Sequence, residues 1–153
     1  LANRALFFDR VSQQLQQSSR NETHCAIIYL DLNEFKPLND TYGHPFGDKV
    51  LVHAAQTIRN AVRKADTVSR QGGDEFIILL SELSKDEAQA QLVVDRVIGQ
   101  LNEAINAPIS FDKPRKAPSS ANPKHQPMAI KKRYSWNKSN LTSNGNITNL
   151  THT

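Results

Sequence analysis

The sequence predicts an α+β domain over residues 1–111, in which helices flank a small sheet. Segments with helical and strand periodicity follow one another in the order helix, strand, helix, strand, strand, helix, and a Gly-Gly pair separates the last two strands as in a β-hairpin. Hydrophobic residues fill 48 of these 111 positions but only 10 of the following 42. The core is therefore expected to come from the first part alone.

The first two elements are an amphipathic helix and a buried strand. Asn3 suits an N-cap, and the helix is predicted from Arg4 to about Gln17. Its apolar face is expected to hold Leu6, Phe7, Val11 and Leu15. Residues 25–32 form a continuous apolar run, which is typical of a strand buried on both faces.

The remaining elements alternate with polar turns. Proline, asparagine and glycine predict a loop over residues 33–47, and a helix follows from Asp48 to Arg63. Strands are predicted over 67–71 and 75–81, on either side of Gly72-Gly73. Ser84 is predicted to cap the last helix. Its expected apolar face is Leu92, Val93, Val97, Leu101 and Ile105.

The net charge of +4 does not belong to one domain. Residues 1–111 carry a net charge of −3, whereas residues 112–153 carry +7, four prolines and many Asn, Ser and Thr residues. Such a segment buries too little apolar surface to offset its ordering entropy, so we predict that it is a mostly disordered basic tail. Nucleic-acid binding through this tail is the weakest of three functional hypotheses, and we expect no nucleic-acid partner.

Composition excludes several classes of protein. A single cysteine, Cys25, excludes an internal disulfide framework and a multi-cysteine zinc site. No apolar run is long enough to span a membrane, and the first residues lack a secretory signal. The expected compartment is therefore a reducing cytoplasm.

Three acidic residues lie at predicted strand or hairpin ends. Asp31 closes the buried strand, and Asp74 and Glu75 follow the Gly-Gly turn. Carboxylates at one edge of a sheet suit Mg²⁺, which commonly shares its coordination with substrate phosphates. On their own, these acids could equally be solvated residues at a hairpin tip.

The residues around these acids resemble the GGDEF family of diguanylate cyclases. The chain contains Asp-Leu-Asn-Glu-Phe-Lys-Pro-Leu-Asn-Asp from Asp31 to Asp40, and Arg-Gln-Gly-Gly-Asp-Glu-Phe from Arg70 to Phe76. The resemblance runs from residue 1 to about 111, and Asn3-Arg4 is similar to the start of the family domain. It implies a nucleotidyl-cyclase-like fold of the ferredoxin-like, palm type. It also implies an enzyme that joins two GTP molecules into cyclic di-GMP and releases pyrophosphate.

The resemblance also assigns the metal-binding and catalytic roles. Asp31 and Asp74, with the Leu32 carbonyl, correspond to the ligands of two Mg²⁺ (or Mn²⁺) ions. Glu75 corresponds to the second acid, which binds metal or activates the 3′-hydroxyl. The three acids are the predicted catalytic residues.

Substrate contacts follow in the same way. Asn39 and Asp48 correspond to the pair that recognises the guanine edge. Lys36 corresponds to a phosphate contact, and Phe35 to a residue whose backbone amide lies over the phosphates. Gly72 and Gly73 allow close approach of the nucleotide. Taken singly, Asn39 could be a turn former, Asp48 an acid favoured at a helix N-terminus, and Lys36 a solvated lysine. Their joint spacing favours the nucleotide site.

Arg63 and Asp66 correspond to the family's RxxD inhibitory site, which binds the product cyclic di-GMP. An arginine and an aspartate three residues apart at a helix end also form an ordinary salt bridge. The position just before the hairpin favours the regulatory interpretation.

The resemblance also predicts a further strand and a last helix with basic residues for the triphosphate. Neither pattern follows Phe111, so we interpret residues 112–153 as the product of truncation or frameshift. We therefore expect an unpaired edge on the buried strand, a weakly stable domain and low or no cyclase activity. The hypotheses are therefore a homodimeric diguanylate cyclase, with GTP as substrate, and a non-catalytic module that binds GTP or cyclic di-GMP. Family members usually carry an N-terminal sensory domain, so the chain could derive from a membrane-associated sensor protein.

Overall fold

The computed structural model describes residues 1–107 and the backbone of 128–136. These residues form four helices and four strands. In chain order they are α1 (Arg4–Asn21), β1 (His24–Leu32), α2 (Phe35–Tyr42), α3 (His44–Ala61), β2 (Thr67–Gly72), β3 (Glu75–Leu83), α4 (Glu87–Asn106) and β4 (Met128–Trp136). No helix in this part of the chain is long and apolar enough to cross a membrane.

The four strands form one antiparallel sheet in the order β2-β3-β1-β4, which confirms the predicted α+β class. The central strand β1 is buried on both faces, as its apolar run predicts. Ala26, Ile28 and Leu30 pack with the apolar sides of α3 and α4, whereas Cys25 and Ile27 pack in a second cluster against α1. Helices therefore cover both sides of the sheet.

Helix α1 begins as predicted but extends further. The Asn3 side chain accepts a hydrogen bond of 2.8 Å from the Leu6 amide, which confirms the N-cap. The helix ends at Asn21 rather than near Gln17, followed by Glu22 at φ 59°. Leu6 is 42% exposed, so the predicted apolar face is wrong at this residue, whereas Phe7 and Val11 of the predicted face are buried.

The predicted loop over residues 33–47 is wrong, because most of it is helical. Pro37 lies in the first turn of α2, where the backbone amide needs no partner within the helix, so the proline does not prevent helix formation. Gly43 separates α2 from α3 at φ 85°. Pro45 then lies in the first turn of α3, which begins at His44 rather than Asp48.

Helix α4 begins two residues later than a Ser84 cap would allow. Its N-cap is Asp86, whose side chain accepts from the Gln89 amide at 2.9 Å. Ser84 supports this cap indirectly, since its hydroxyl accepts from the Asp86 amide. Leu92 is 68% exposed, so its predicted place on the apolar face is wrong. The buried residues of α4 are Ala90, Val94, Val97, Leu101 and Ile105.

Strand β4 differs from the expectation of an unpaired edge. Its backbone pairs with β1 along registers that run from Cys25↔Trp136 to Leu32↔Met128. Residues of high β propensity occupy three of the four even positions from 130 to 136, namely Ile130, Tyr134 and Trp136, with Lys132 as the exception, a pattern overlooked beside the basic residues. The rest of the predicted disordered tail lies outside the described residues.

The different burial of two leucines in α4 predicts different costs of truncation. Leu101 is fully buried, so Leu101→Ala should lower the free energy of unfolding by about 2–5 kcal/mol through lost burial and an unfilled cavity. Leu92→Ala removes the same atoms from an exposed site and should change it by less than about 0.5 kcal/mol. Urea denaturation measures both values. Similar losses for the two variants would contradict this placement of the helix.

Candidate functional site

The sheet brings the predicted acidic residues to one end of its two central strands. In the register of β1 and β3, Asp31 and Glu75 are direct cross-strand partners. The Leu32 amide donates to the Asp74 carbonyl at 3.3 Å, which joins the end of β1 to the hairpin turn. The structure therefore brings together the ends of two segments, Asp31-Leu32 and Asp74-Glu75, that are more than 40 residues apart in the sequence.

The turn between β2 and β3 depends on glycine. Gly72 has φ 151° and Gly73 has φ 51°, both in the region that disfavours side chains. No described atom lies within 4 Å of a Cβ built at either residue, so the space beside the turn is open. The Arg70 guanidinium donates to the Gly73 carbonyl at 2.8 Å and so ties β2 to the turn. The open side allows a phosphate chain to approach the backbone closely.

The donor set at this end of the sheet fits a hard divalent cation that shares its ligands with a substrate. Within the described residues, no three His, Cys, Asp or Glu side chains are grouped as a metal site. The opposed Asp31 and Glu75 are nevertheless oxygen donors on a fixed backbone. Mg²⁺ is commonly held by one or two carboxylates together with substrate phosphates and water, so these residues are compatible with such an ion.

The candidate nucleotide contacts lie on α2 and α3, which follow β1. Phe35 begins α2 and packs partly against the core, whereas Lys36 is exposed. The first amides of a helix have no partners within it, and in α2 no side chain caps them. These N–H groups therefore favour a bound anion. Asp48 is exposed in α3 beside an open depression of about 390 Å³.

The side chain of Asn39, in α2, packs against α3. Its backbone carbonyl accepts from the Gly43 amide at 2.8 Å. Its side-chain oxygen is buried and makes no hydrogen bond with any described residue. The oxygen lies against Gly47, which directly precedes Asp48. Gly47 was not among the predicted site residues, because glycine has no side-chain group that signals a chemical role.

Arg63 and Asp66 form a buried connection between the end of α3 and β3. The carboxylate of Asp66, which is 3% exposed, accepts from the backbone amides of Arg63 at 2.9 Å and Ser81 at 3.0 Å. The Arg63 guanidinium donates to the Ser81 carbonyl at 2.8 Å and lies 3.5 Å from Asp66. The salt bridge considered from the sequence is therefore present, and the Arg63 side chain is still 57% exposed.

Two further residues complete this connection and were missed from the sequence. Arg59 donates to the backbone carbonyls of Asp66 and Arg63 at 2.9 and 2.8 Å. Ser81 contributes only backbone atoms, from a strand that lies 15 residues beyond Asp66. No sequence pattern predicts a backbone contact between residues that are so far apart in the chain.

Cys25 is an inert core thiol rather than a candidate nucleophile. It is buried in the cluster beneath α1. Desolvation by burial raises its pKa to about 11, although a hydrogen bond with Ser18 lowers it in part. The reactive thiolate is therefore scarce at neutral pH.

The comparisons with known proteins agree on one family. The model of the diguanylate cyclase GGDEF domain matches residues 1–112. A bifunctional diguanylate cyclase/cyclic di-GMP phosphodiesterase of Pseudomonas aeruginosa, MucR, is 38% identical over 103 residues, which are 67% of this chain and 15% of MucR. The chain therefore spans a small part of that relative's length.

Solved structures show the same fold. The crystal structure of the GGDEF domain of PA1120 (YfiN or TpbB) from Pseudomonas aeruginosa matches with a TM-score of 0.66 and 37% identity, over 71% of this chain and 65% of that one. The GGDEF domain of DgcB from Caulobacter crescentus, solved in complex with c-di-GMP, matches with a TM-score of 0.69 over 88% of this chain and 69% of that one. At 22% identity, the second likeness concerns the fold alone.

The burial of Asp66 predicts that it stabilises the domain. Asp66→Ala leaves the buried amide of Ser81 and the amide of Arg63 without an acceptor, and should lower the free energy of unfolding by about 3 kcal/mol. Arg63→Ala removes an exposed side chain and should cost about 1 kcal/mol or less. Thermal or urea denaturation compares the two. An Asp66 variant as stable as the Arg63 variant would contradict the structural role.

Proposed function

The chain belongs to the GGDEF diguanylate cyclase family, and we propose on this basis that its domain condenses two GTP molecules into cyclic di-GMP. In this reaction each 3′-hydroxyl oxygen forms a bond to the α-phosphorus of the other nucleotide. Each α–β phosphoanhydride bond breaks, so that two pyrophosphates leave. The bacterial relative MucR is named a bifunctional diguanylate cyclase/cyclic di-GMP phosphodiesterase.

The observation that carries the proposal is the pairing of Asp31 with Glu75 beside the open Gly-Gly turn. This pairing supports a site in which the phosphate chain of a nucleotide lies against the backbone beside two carboxylates. Asp31, Asp74, Glu75 and the Leu32 carbonyl would hold Mg²⁺ or Mn²⁺ there. Such an ion neutralises phosphate charge and promotes loss of the hydroxyl proton.

The protein's own residues bind and orient the nucleotide in this proposal. The uncapped first turn of α2, which begins at Phe35, donates backbone N–H groups to the phosphates, and the exposed Lys36 neutralises part of their charge. Asp48 accepts from the N1–H and N2–H₂ donors of guanine, and Asn39 adds an amide contact to the base. Gly72 and Gly73 leave the approach unobstructed.

A homodimer follows from the chemistry of the product. Cyclic di-GMP consists of two identical halves joined by two identical linkages, so two sites related by a twofold axis can each supply one GTP. In this arrangement each domain binds one nucleotide, and the two 3′-hydroxyls attack across the interface.

The second candidate is a non-catalytic module that binds GTP or cyclic di-GMP, and the geometry of Arg63 favours it. Its guanidinium is held by the Ser81 carbonyl and by Asp66, yet more than half of the side chain is exposed. An oriented, exposed arginine suits a phosphate or the Hoogsteen edge of guanine. Such a site could bind cyclic di-GMP with or without turnover elsewhere.

The carboxylate site is tested by turnover of GTP in the presence of Mg²⁺. We expect slow formation of cyclic di-GMP that chelation with EDTA stops. Asp74→Ala should lower the rate by roughly a hundredfold or more, because phosphate charge is no longer neutralised. Glu103→Ala, which removes an equal charge from an exposed position of α4, should leave the rate unchanged. Nucleotide products are separated by chromatography.

Each result of this assay decides between the candidates. Equal turnover by the wild-type chain and the Asp74 variant would overturn the assigned site. Binding of GTP without any cyclic di-GMP, at every protein concentration, would favour the non-catalytic module. Turnover that rises more steeply than linearly with protein concentration would support the dimer.

The exposed arginine predicts a separate site for the product. Arg63→Ala should weaken binding of cyclic di-GMP by about tenfold or more, because a charge-assisted contact to phosphate is lost. Arg96→Ala, an exposed arginine of α4, serves as the control and should bind as the wild type does. Isothermal titration calorimetry measures both. Unchanged affinity in the Arg63 variant would leave its salt bridge as a purely structural feature.

A further inference from the structure

Gly47 is a buried helical glycine whose conformation does not require glycine. It lies near the start of α3, between the buried Phe46 and the exposed Asp48. Its backbone is helical, in contrast with Gly43 at φ 85°. Glycine weakens a helix relative to alanine, so the position gives up helix stability. Space, rather than backbone conformation, accounts for the absence of a side chain.

The space that a side chain would need is filled by Asn39. A Cβ atom at Gly47 would overlap the side-chain oxygen of Asn39 and lie 2.8 Å from its Cγ. It would also lie 3.2 Å from Cζ of Phe35. Any residue larger than glycine must therefore displace the Asn39 amide. Gly99 of α4 differs in this respect, since no described atom lies within 4 Å of a Cβ built there.

This contact also orients the amide of Asn39. Its oxygen lies against Gly47, is buried and has no hydrogen-bond partner among the described residues. The amide nitrogen is the end farther from Gly47, so its two N–H donors are the end available to a ligand. Asp48, the next residue of the helix, supplies an acceptor. The missing side chain at Gly47 thus leaves room for a donor against the helix that carries the acceptor.

We propose that Gly47 is a positioning residue for guanine recognition, which acts by leaving room for the Asn39 amide against the helix that carries Asp48. The inference rests on the proposed function, in which Asn39 and Asp48 contact the base. It adds that discrimination between GTP and other nucleotides is set by packing between α2 and α3. The residue itself touches no substrate.

Four variants and two nucleotides test this role. Gly47→Ala should weaken binding of Mg²⁺-GTP by about three- to tenfold, the loss expected for one misplaced hydrogen bond, while binding of Mg²⁺-ATP stays unchanged. In an Asn39→Ala background the same substitution should have no further effect on GTP binding, because the displaced amide is already absent. Gly99→Ala, the matched helical control, should alter neither affinity.

The results separate failure of this inference from failure of the proposed function. Wild-type affinity for GTP in Gly47→Ala, an equal loss for GTP and ATP, or losses that add in the double variant would each overturn the positioning role. A wild-type chain that binds GTP no more tightly than ATP would overturn the proposed function. In that event thermal unfolding still decides the packing contact: Gly47→Ala should lower Tm in the wild-type background and raise it in Asn39→Ala. Equal shifts in the two backgrounds would overturn it.

Discussion

The two-sided burial of β1 is the constraint on which the other elements depend. The strand is paired along one edge with β3 and along the other with β4, and its alternate residues face two separate apolar clusters. A slip of one residue would exchange the two faces and place Ile28 where Ile27 packs, so the register is strongly specified. Asp31 lies at the end of this strand and opposite Glu75. The hydrophobic core therefore sets the position of Asp31 opposite Glu75.

The second half of the site depends on a different constraint, the close contact of α2 with α3. Gly43 adopts a positive φ and turns the chain sharply between the helices, and Gly47 lets the second helix approach Asn39. Two glycines thus act for unrelated reasons, one through backbone conformation and the other through volume. The Asn39 amide is consequently positioned by packing between helices, and the metal-binding candidates are positioned by the sheet. The two halves meet at the short connection from Leu32 to Phe35.

Local signals explain what could be predicted from the sequence. The Asn3 cap, the apolar run of β1 and the Gly72-Gly73 hairpin each depend on a few neighbouring residues, and the structure confirms all three. Helix α2 was missed because Pro37 was interpreted as a loop residue, although a first-turn proline loses no helical hydrogen bond. Leu92 was misplaced because helical spacing alone does not say which side of an amphipathic stripe meets the sheet. The roles of Gly47 and Ser81 depend on partners distant along the chain or on excluded volume, which no local pattern encodes.

The Arg63–Asp66 pair shows why a four-residue pattern can carry two physical roles. Asp66 is nearly inaccessible, and both of its carboxylate oxygens accept hydrogen bonds from backbone amides, which joins the end of α3 to β3. Arg63 keeps most of its side chain exposed while the same connection orients it. The aspartate therefore belongs to the fold and the arginine is the member free to meet a ligand. Between this connection and Glu75, β3 runs through five residues that are at most 1% exposed, from Phe76 to Leu80. At about 3.4 Å per residue the strand separates the two ends by roughly 20 Å. A substitution of the exposed guanidinium leaves the packing of that strand unchanged, so Arg63 and Glu75 can be replaced one at a time without disturbing the core between them.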